Sequence, residues 1–396
     1  MDELFCHFCK IAYPLDLFRT FCRACGEPLL FKETDQKREI YWKEENTLRK
    51  FEDFLPLERI FPELDMGTGS TPLTKCINLM EKFDLPCLLA KNEAQNPTGS
   101  FKDRGTLVAV QKAVQMGIER IGTVSTGNMA ASTAAFGARA GLKTVVLVKE
   151  DTGQEKLLST AVFQPLLIKV GGDYGRLFRK SYEIGLAKGI YFMNSVDPLR
   201  IEGYKITAFE IYGQLNCEVP DYVFVPVSAG GHIIGLMSAF LMLEKSGLCE
   251  KIPTFIGIQA EGCSPVSRSF AAGNKKVLRI HETDTIAHAI SNPDPPGGSI
   301  ALDMIRKNNG MLISVSDRDI IRAQSLLAVH EGLFVLPASA TTLAGLLKMF
   351  DRKEIDKDKT CVIVLTGTGL KGLKTLNINL TGIPCYGLEE LESHIE

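Results

Sequence analysis

The sequence predicts an α/β protein of two doubly wound lobes behind a small cysteine ribbon, and three observations carry that prediction. From Gly67 onward, short β-branched runs alternate with helical stretches, the rhythm of parallel sheets covered by helices on both faces. That body, residues 67–396, is longer than one such sheet usually needs, so two lobes with a cleft between them are expected. Ahead of it stand two C-x2-C knuckles, and several strands end in turns rich in glycine, asparagine and hydroxyl residues.

The knuckles are Cys6-x2-Cys9 and Cys22-x2-Cys25, with twelve residues between them. Two tight turns so spaced deliver four thiolates to one tetrahedral centre, and Gly26 follows where backbone amides turn toward sulfur. Zinc is the expected ion, in a structural role, because four protein ligands leave no open coordination position. An iron centre of the rubredoxin kind and a ribbon without metal are the alternatives. Residues 1–30 form this module. Residues 31–66, charged and broken by Tyr41, Trp42, Phe51 and Phe54, carry little periodicity and read as a linker packed on the body. The other seven cysteines (Cys76, Cys87, Cys217, Cys249, Cys263, Cys361, Cys385) are scattered singly, as small core hydrophobes are.

In the body, Pro86–Lys91, Ile121–Ser125, Thr144–Val148, Leu166–Val170, Tyr222–Val227, Thr254–Ile258 and Cys361–Leu365 read as strands. After the first comes Asn96-Pro97-Thr98-Gly99-Ser100-Phe101-Lys102, then an amphipathic helix including Thr106–Val114. Asn96, Pro97 and Gly99 hold the turn and Ser100 is placed to cap the helix. Lys102 thus faces the positive end of a helix dipole; with desolvation, that lowers its pKa toward a nucleophilic amine suited to Schiff-base chemistry. A lone lysine after a turn is usually a solvated helix-start residue, so its neighbours decide the matter.

Three more turns can converge on it, since open α/β sheets bind ligands beyond the carboxyl ends of their strands. Ser125-Thr126-Gly127-Asn128 opens a helix, with Asn128 as side-chain donor or as the helix cap. Ser228-Ala229-Gly230-Gly231-His232 lets consecutive amides wrap a phosphate at a helix N-terminus. Thr366-Gly367-Thr368-Gly369 follows the last strand. Its glycines, with Gly372, match a dinucleotide-binding spacing by chance, because no β-α-β unit or acidic ribose contact follows.

A net charge of -2 with mixed signs gives no basic field for nucleic acid. No apolar stretch has membrane-spanning length, and Met1–Cys6 lacks the basic-then-apolar order of a secretion signal. A cytoplasmic protein with neither membrane nor nucleic-acid partner is expected.

The motifs together resemble the pyridoxal-phosphate enzymes of the tryptophan-synthase fold (fold type II), and within them the threonine synthases. The likeness runs from about Gly67 to the C-terminus through N-P-T-G-S-F-K-D-R-G at Asn96–Gly105, S-T-G-N at Ser125–Asn128 and N-S-V-D-P-L-R-I-E-G at Asn194–Gly203. It continues through G-I-Q-A-E-G at Gly257–Gly262, P-A-S-A at Pro337–Ala340 and L-T-G-x-G-L-K at Leu365–Lys371. The resemblance implies pyridoxal 5'-phosphate as cofactor and a smaller lobe of roughly residues 103–205 inserted in the larger. It makes Lys102 the coenzyme-bearing lysine and proton shuttle, with Phe101 beside the ring. Asn128 would hold the phenolic oxygen, Thr366 the pyridine nitrogen, and the amides of Ser228, Ala229, Gly230, Gly231 and His232 the cofactor phosphate. Ser125 and Thr126 would receive the substrate carboxylate, and Asn194, Ser195 and Arg200 the phosphate of a phospho-amino acid. The implied reaction turns O-phospho-L-homoserine and water into L-threonine and phosphate, in an enzyme expected to be a homodimer.

Several positions depart from that pattern. Met129 replaces a small hydroxyl residue after S-T-G-N, Ala229 replaces an asparagine, Thr368 a histidine, and the acidic residue before T-P-L is missing from Gly67–Leu73. A cysteate synthase, or another relative acting on phosphoserine, is therefore the alternative, with His232 either assisting an added anion or standing in solvent at the helix start. Outside this class, the glycine loops leave a nicotinamide-dependent oxidoreductase open, and the ribbon a non-catalytic metal-binding scaffold.

Overall fold

The chain is described by a computed structural model over residues 3–32 and 38–375. Part of the expected linker, residues 33–37, and the end of the body, residues 376–396 with Cys385, lie outside the described residues.

The ribbon consists of β1 (Glu3–Cys6), β2 (Ala12–Pro14) and β3 (Leu29–Phe31), antiparallel in the order β2-β1-β3. Leu4 pairs with Tyr13 on one side and Phe31 on the other. The linker then makes the short helix α1 (Thr47–Lys50), capped by the Asn46 side chain, which accepts from the Leu48 and Arg49 amides. It is anchored by single aromatics, which explains its lack of periodicity: Phe51 and Phe54 lie 5.3 and 4.7 Å, centre to centre, from the ring of Phe209.

The body opens with β4 (Leu73–Lys75), α2 (Ile77–Phe83), β5 (Cys87–Asn92) and α3 (Lys102–Gln115). Next come β6 (Arg120–Val124), α4 (Asn128–Arg139), β7 (Lys143–Lys149), α5 (Gln154–Ala161), β8 (Leu166–Val170), α6 (Tyr174–Lys188) and β9 (Tyr191–Phe192). α7 (Pro198–Gln214) leads back to β10 (Tyr222–Pro226), α8 (Gly231–Lys245), β11 (Thr254–Ala260), α9 (Pro265–Ala271), α10 (Gly298–Lys307), β12 (Met311–Val315), α11 (Asp317–Glu331), α12 (Pro337–Asp351) and β13 (Thr360–Leu365).

Two sheets result. The larger runs β12-β11-β10-β13-β5-β4 and is parallel except at β4. Its central strands are covered on both faces, so β13 reads as the unbroken apolar run Cys361–Leu365, wholly buried. The smaller runs β8-β7-β6-β9, all parallel, and is formed by the chain between β5 and β10. Every predicted strand is present within a residue or two at its ends. Strands β4, β9 and β12 were not predicted: β4 and β9 have three and two residues, and β12 is a partly exposed edge without clean alternation.

Candidate active site and metal centre

Lys102 stands where β5 gives way to α3, half-buried at the start of the helix. Ser100 does not cap α3 as predicted. It is drawn into a bridge opposite Gly367, while the Asp103 carboxylate turns back to accept from the Thr98 amide and hydroxyl, each at 2.6 Å. The turn is laced to the one after β13, with the Phe101 amide donating to the Thr366 carbonyl (3.1 Å) and the Thr368 amide to Gly99 (3.0 Å). Gly99 has φ +73°, and a Cβ there would lie 2.7 Å from the Thr368 side chain. The Lys102 amine sits 4.3 Å from the centre of the Phe101 ring and 5.6 Å from that of Tyr204. Loss of hydration, and then the Arg200 charge, push its pKa down to about 7.

Opposite, α8 begins without a side-chain cap, which leaves its first amides for an anion. The glycines ahead of it are wedged: Gly230 has φ +97° and a Cβ there would meet Gly297 backbone at 2.7 Å, while one on Gly231 would lie 2.6 Å from the Ser195 carbonyl. His232 does not stand in solvent. Its ring is buried, stacked on Phe101 at 3.9 Å and edge-on to Tyr204 at 5.6 Å. Burial, then the charges of Lys102 and Arg104, hold its pKa well below the usual imidazole range, so it is neutral.

Thr366 is paired with Ser339 (2.9 Å), which also accepts from the Gly367 amide (3.0 Å). Ser339 belongs to the P-A-S-A motif but had no predicted role; its sequence distance from Thr366 hid the contact. Asn128 is the first residue of α4, and Gly127 is the cap. Its Oδ1 accepts from the Lys371 ammonium at 2.9 Å, which leaves Nδ2, close against Gly367, as the donor; Lys371 also donates to the Thr98 carbonyl. Replacing Lys371 with alanine frees that amide to rotate. We expect coenzyme affinity to fall about 5- to 10-fold, the worth of one oriented hydrogen bond, in a titration with pyridoxal phosphate.

Among the expected substrate contacts, Ser125, Thr126 and Ser195 are half-buried at the cleft. Asn194 and Arg200 are instead closed off. Asn194 Oδ1 accepts from the Val124 amide (2.8 Å) and Nδ2 donates to Ser181 (3.1 Å). Arg200 is fully buried, donating to the Met193 carbonyl, Thr106 Oγ1 and Thr133 Oγ1 at 2.7 Å each. Its fork therefore ties α3, α4 and α7 together beneath Lys102, and does not stand open to a substrate phosphate as predicted.

Beneath α3 lies an ion network that the sequence did not reveal. Arg104 donates to Glu93 (2.5 and 2.7 Å) and to Glu210 (2.8 and 2.7 Å), and Lys91 donates to Glu210 at 2.7 Å. Glu210 also accepts from the Ser70 amide at 2.7 Å, so α7 brings a carboxylate to the T-P-L segment that has none of its own.

In the ribbon, the sulfurs of Cys6, Cys9, Cys22 and Cys25 all lie within 4.8 Å of one another, a set that suits a tetrahedral zinc. Burial raises the Cys22 thiol's pKa, but the Tyr13 hydroxyl at 3.2 Å and the Cys25 and Ala24 amides bring it to about 6, so a thiolate is at hand. Chelation of this ion is expected to unfold the ribbon, read as loss of the Phe8, Tyr13 and Phe21 near-UV signal.

Residues 64–367 match the family described as pyridoxal-phosphate dependent enzyme. The threonine synthase of Methanocaldococcus jannaschii is 39% identical over 342 residues, 86% of this chain and 83% of that one. That of Methanosarcina acetivorans is 36% identical, covering 83% and 80%. The chain is a pyridoxal-phosphate-dependent enzyme of the threonine synthase family. Solved structures agree in fold: the processed threonine deaminase isoform 2 of Solanum lycopersicum has a TM-score of 0.66 at 19% identity, covering 82% of this chain and 81% of that one. As a member of this family the chain is a pyridoxal-phosphate-dependent lyase, and its site suits the coenzyme. It offers one amine at about 7, an uncapped helix start behind glycines that leave no room for a Cβ, an amide donor at Asn128 and a hydroxyl pair at Thr366.

Proposed function

We propose that this enzyme converts O-phospho-L-homoserine and water into L-threonine and phosphate. The observation that carries the reading is the Lys102 amine, held near 7 between the Asn128 turn and the uncapped start of α8, in a chain 39% identical to a threonine synthase. Lys102 would carry the coenzyme, the amides of residues 228–232 would hold its phosphate, Phe101 would lie beside its ring, Asn128 would hold its phenolic oxygen and Thr366 its pyridine nitrogen. The bound coenzyme supplies the electron sink that makes the substrate Cα–H acidic. With the substrate's amine on the coenzyme, the Lys102 amine would be free to remove the Cα proton and then a Cβ proton. Phosphate leaves from Cγ with the C–O bonding pair, one proton is delivered to Cγ, which becomes the methyl group, water adds its oxygen at Cβ, and a proton is returned to Cα. Ser125 and Thr126 receive the substrate carboxylate and Ser195 the phosphate end. Asn194 and Arg200 reach that phosphate only if the wall behind it opens.

That closed wall, together with Met129 and Ala229 at the site, supports the second reading, a relative acting on phosphoserine with another nucleophile such as sulfite. Phosphate release measured with phosphohomoserine, with phosphoserine with and without sulfite, and with serine and threonine as blanks decides between them. Release from phosphohomoserine with threonine as product is expected; release only from phosphoserine refutes the first reading. We further infer a cytoplasmic homodimer in which roughly residues 103–205 form a smaller lobe inserted in the larger one. Among the described residues no helix is long and apolar enough to cross a membrane.

A further inference from the structure

The ribbon is not an appendage. On one side its first knuckle grips the larger lobe, with His7 Nε2 2.6 Å from Asp303 Oδ2 on α10 and Phe8 under the Lys276 ammonium (5.8 Å to the ring centre). Glu27, just past the second knuckle, adds an ion pair with Lys276 at 3.4 Å. On the other side Phe21, the residue before Cys22, packs edge-on against Tyr182 (5.2 Å) and Phe178 (6.5 Å) of α6. It thereby joins an apolar cluster that contains Val124, Val196 and Ala229. Each of those three belongs to or adjoins a turn of the site: Val124 precedes Ser125, Val196 follows Ser195, and Ala229 is in the phosphate cradle. Four thiolates on one ion would fix the distance between the two knuckles, and so between the grip on α10 and the plug in the smaller lobe.

We propose that Phe21 is a positioning residue for the catalytic cradle, so that zinc in the ribbon and pyridoxal phosphate in the cleft tighten each other's binding. This rests on the coenzyme reading above. Because coupling between two binding sites is reciprocal, a single factor governs both directions. An isolated structural ion, holding only its own module together, has a factor of one.

The test uses the full-length zinc-loaded protein. Zinc release to a chromophoric chelator is timed, and zinc affinity measured by competition, with and without saturating pyridoxal phosphate; coenzyme affinity is then measured with zinc present and stripped. Coenzyme is expected to tighten zinc by about fivefold or more, the lower end of common coupling factors, and stripping is expected to weaken coenzyme by the same factor. Phe21→Ala, with all four cysteines intact, should bind zinc yet bring the factor to one, and Phe21→Leu should restore part of it. Tyr182→Ala removes the same contact from the receiving side, with the ribbon untouched, should Phe21→Ala fold poorly. Zinc binding indifferent to coenzyme in the natural chain, or a full coupling factor in both alanine variants, overturns the proposal. A zinc-loaded protein that develops no visible coenzyme band overturns the parent reading as well, whereas a normal band without coupling overturns this inference alone.

Discussion

Lys102→Ala is expected to lower turnover by at least about 10³-fold, because the change removes both the coenzyme's covalent anchor and the proton-transfer group, and proton transfer alone is commonly worth 10²–10⁴. Among the described residues no neighbouring amine is free to take over. Lys371 is occupied by Asn128 and the Thr98 carbonyl, and Lys91 is buried on Glu210, the Thr71 carbonyl and Gln214. Borohydride reduction followed by denaturation should leave coenzyme attached to the natural chain and none attached to the variant. Equal amounts of covalently retained coenzyme in the two denatured proteins would sink the assignment. The pH dependence separates this amine from an ordinary one. Loss of hydration first, and Arg200 second, favour its neutral form, so the coenzyme-free chain should capture pyridoxal phosphate faster as pH rises through about 7 and level off above it. A solvated lysine would put that inflection near its reference value of about 10.4.

What the sequence disclosed and what it hid follow from the range of the contacts involved. Strands β5, β6, β7, β10, β11 and β13 were legible because burial on both faces favours near-continuous apolar runs, and β8, which is half-buried to exposed, because Leu166–Val170 is itself a short apolar run between helical stretches. The four cysteines and the Lys102 turn were legible because their chemistry depends on spacing within a few residues. The fate of polar side chains was not. Asn194 and Arg200 sit in a motif that resembles a phosphate grip, yet their partners are Val124, Ser181, Thr106 and Thr133, residues on other elements that no local pattern ties to them. His232 read as a solvent residue because a helix start is usually exposed. Here α8 is packed so deeply that even its first turn is internal, with Phe101 and Tyr204 closing over the ring. The missing acid before T-P-L is the same lesson in reverse, since Glu210 reaches Ser70 from 140 residues further along the chain.

The second large effect is expected at Glu210, whose truncation should destabilise the fold by about 3–5 kcal/mol, the usual result of leaving a buried charge without its partner. Lys91 and Arg104 carry two positive charges and Glu93 and Glu210 two negative ones, all four buried. Glu210→Ala leaves one positive charge in excess in the core and strips Lys91 of its carboxylate, whereas Glu210→Leu combined with Lys91→Met removes a balanced pair and should cost less than either change alone. Urea midpoints of the two single variants and the double variant measure the difference; additive losses would refute the coupling. The pH signature has a definite sign. Desolvation alone would raise the Glu210 pKa, but the charges of Arg104 and Lys91 outweigh it and hold the group at about 2, below its ordinary 4.5. A carboxylate depressed on folding contributes its stability in full above the unfolded value and loses it as pH falls toward the folded one. The natural chain should therefore lose this contribution between about pH 5 and 2, and Glu210→Gln should flatten that part of the curve. Because Arg104 lies two residues from Lys102 and fastens α3 to α7, the loosened network should also shift the amine. Coenzyme affinity in Glu210→Gln is expected to fall even at neutral pH and low temperature, where the variant is fully folded.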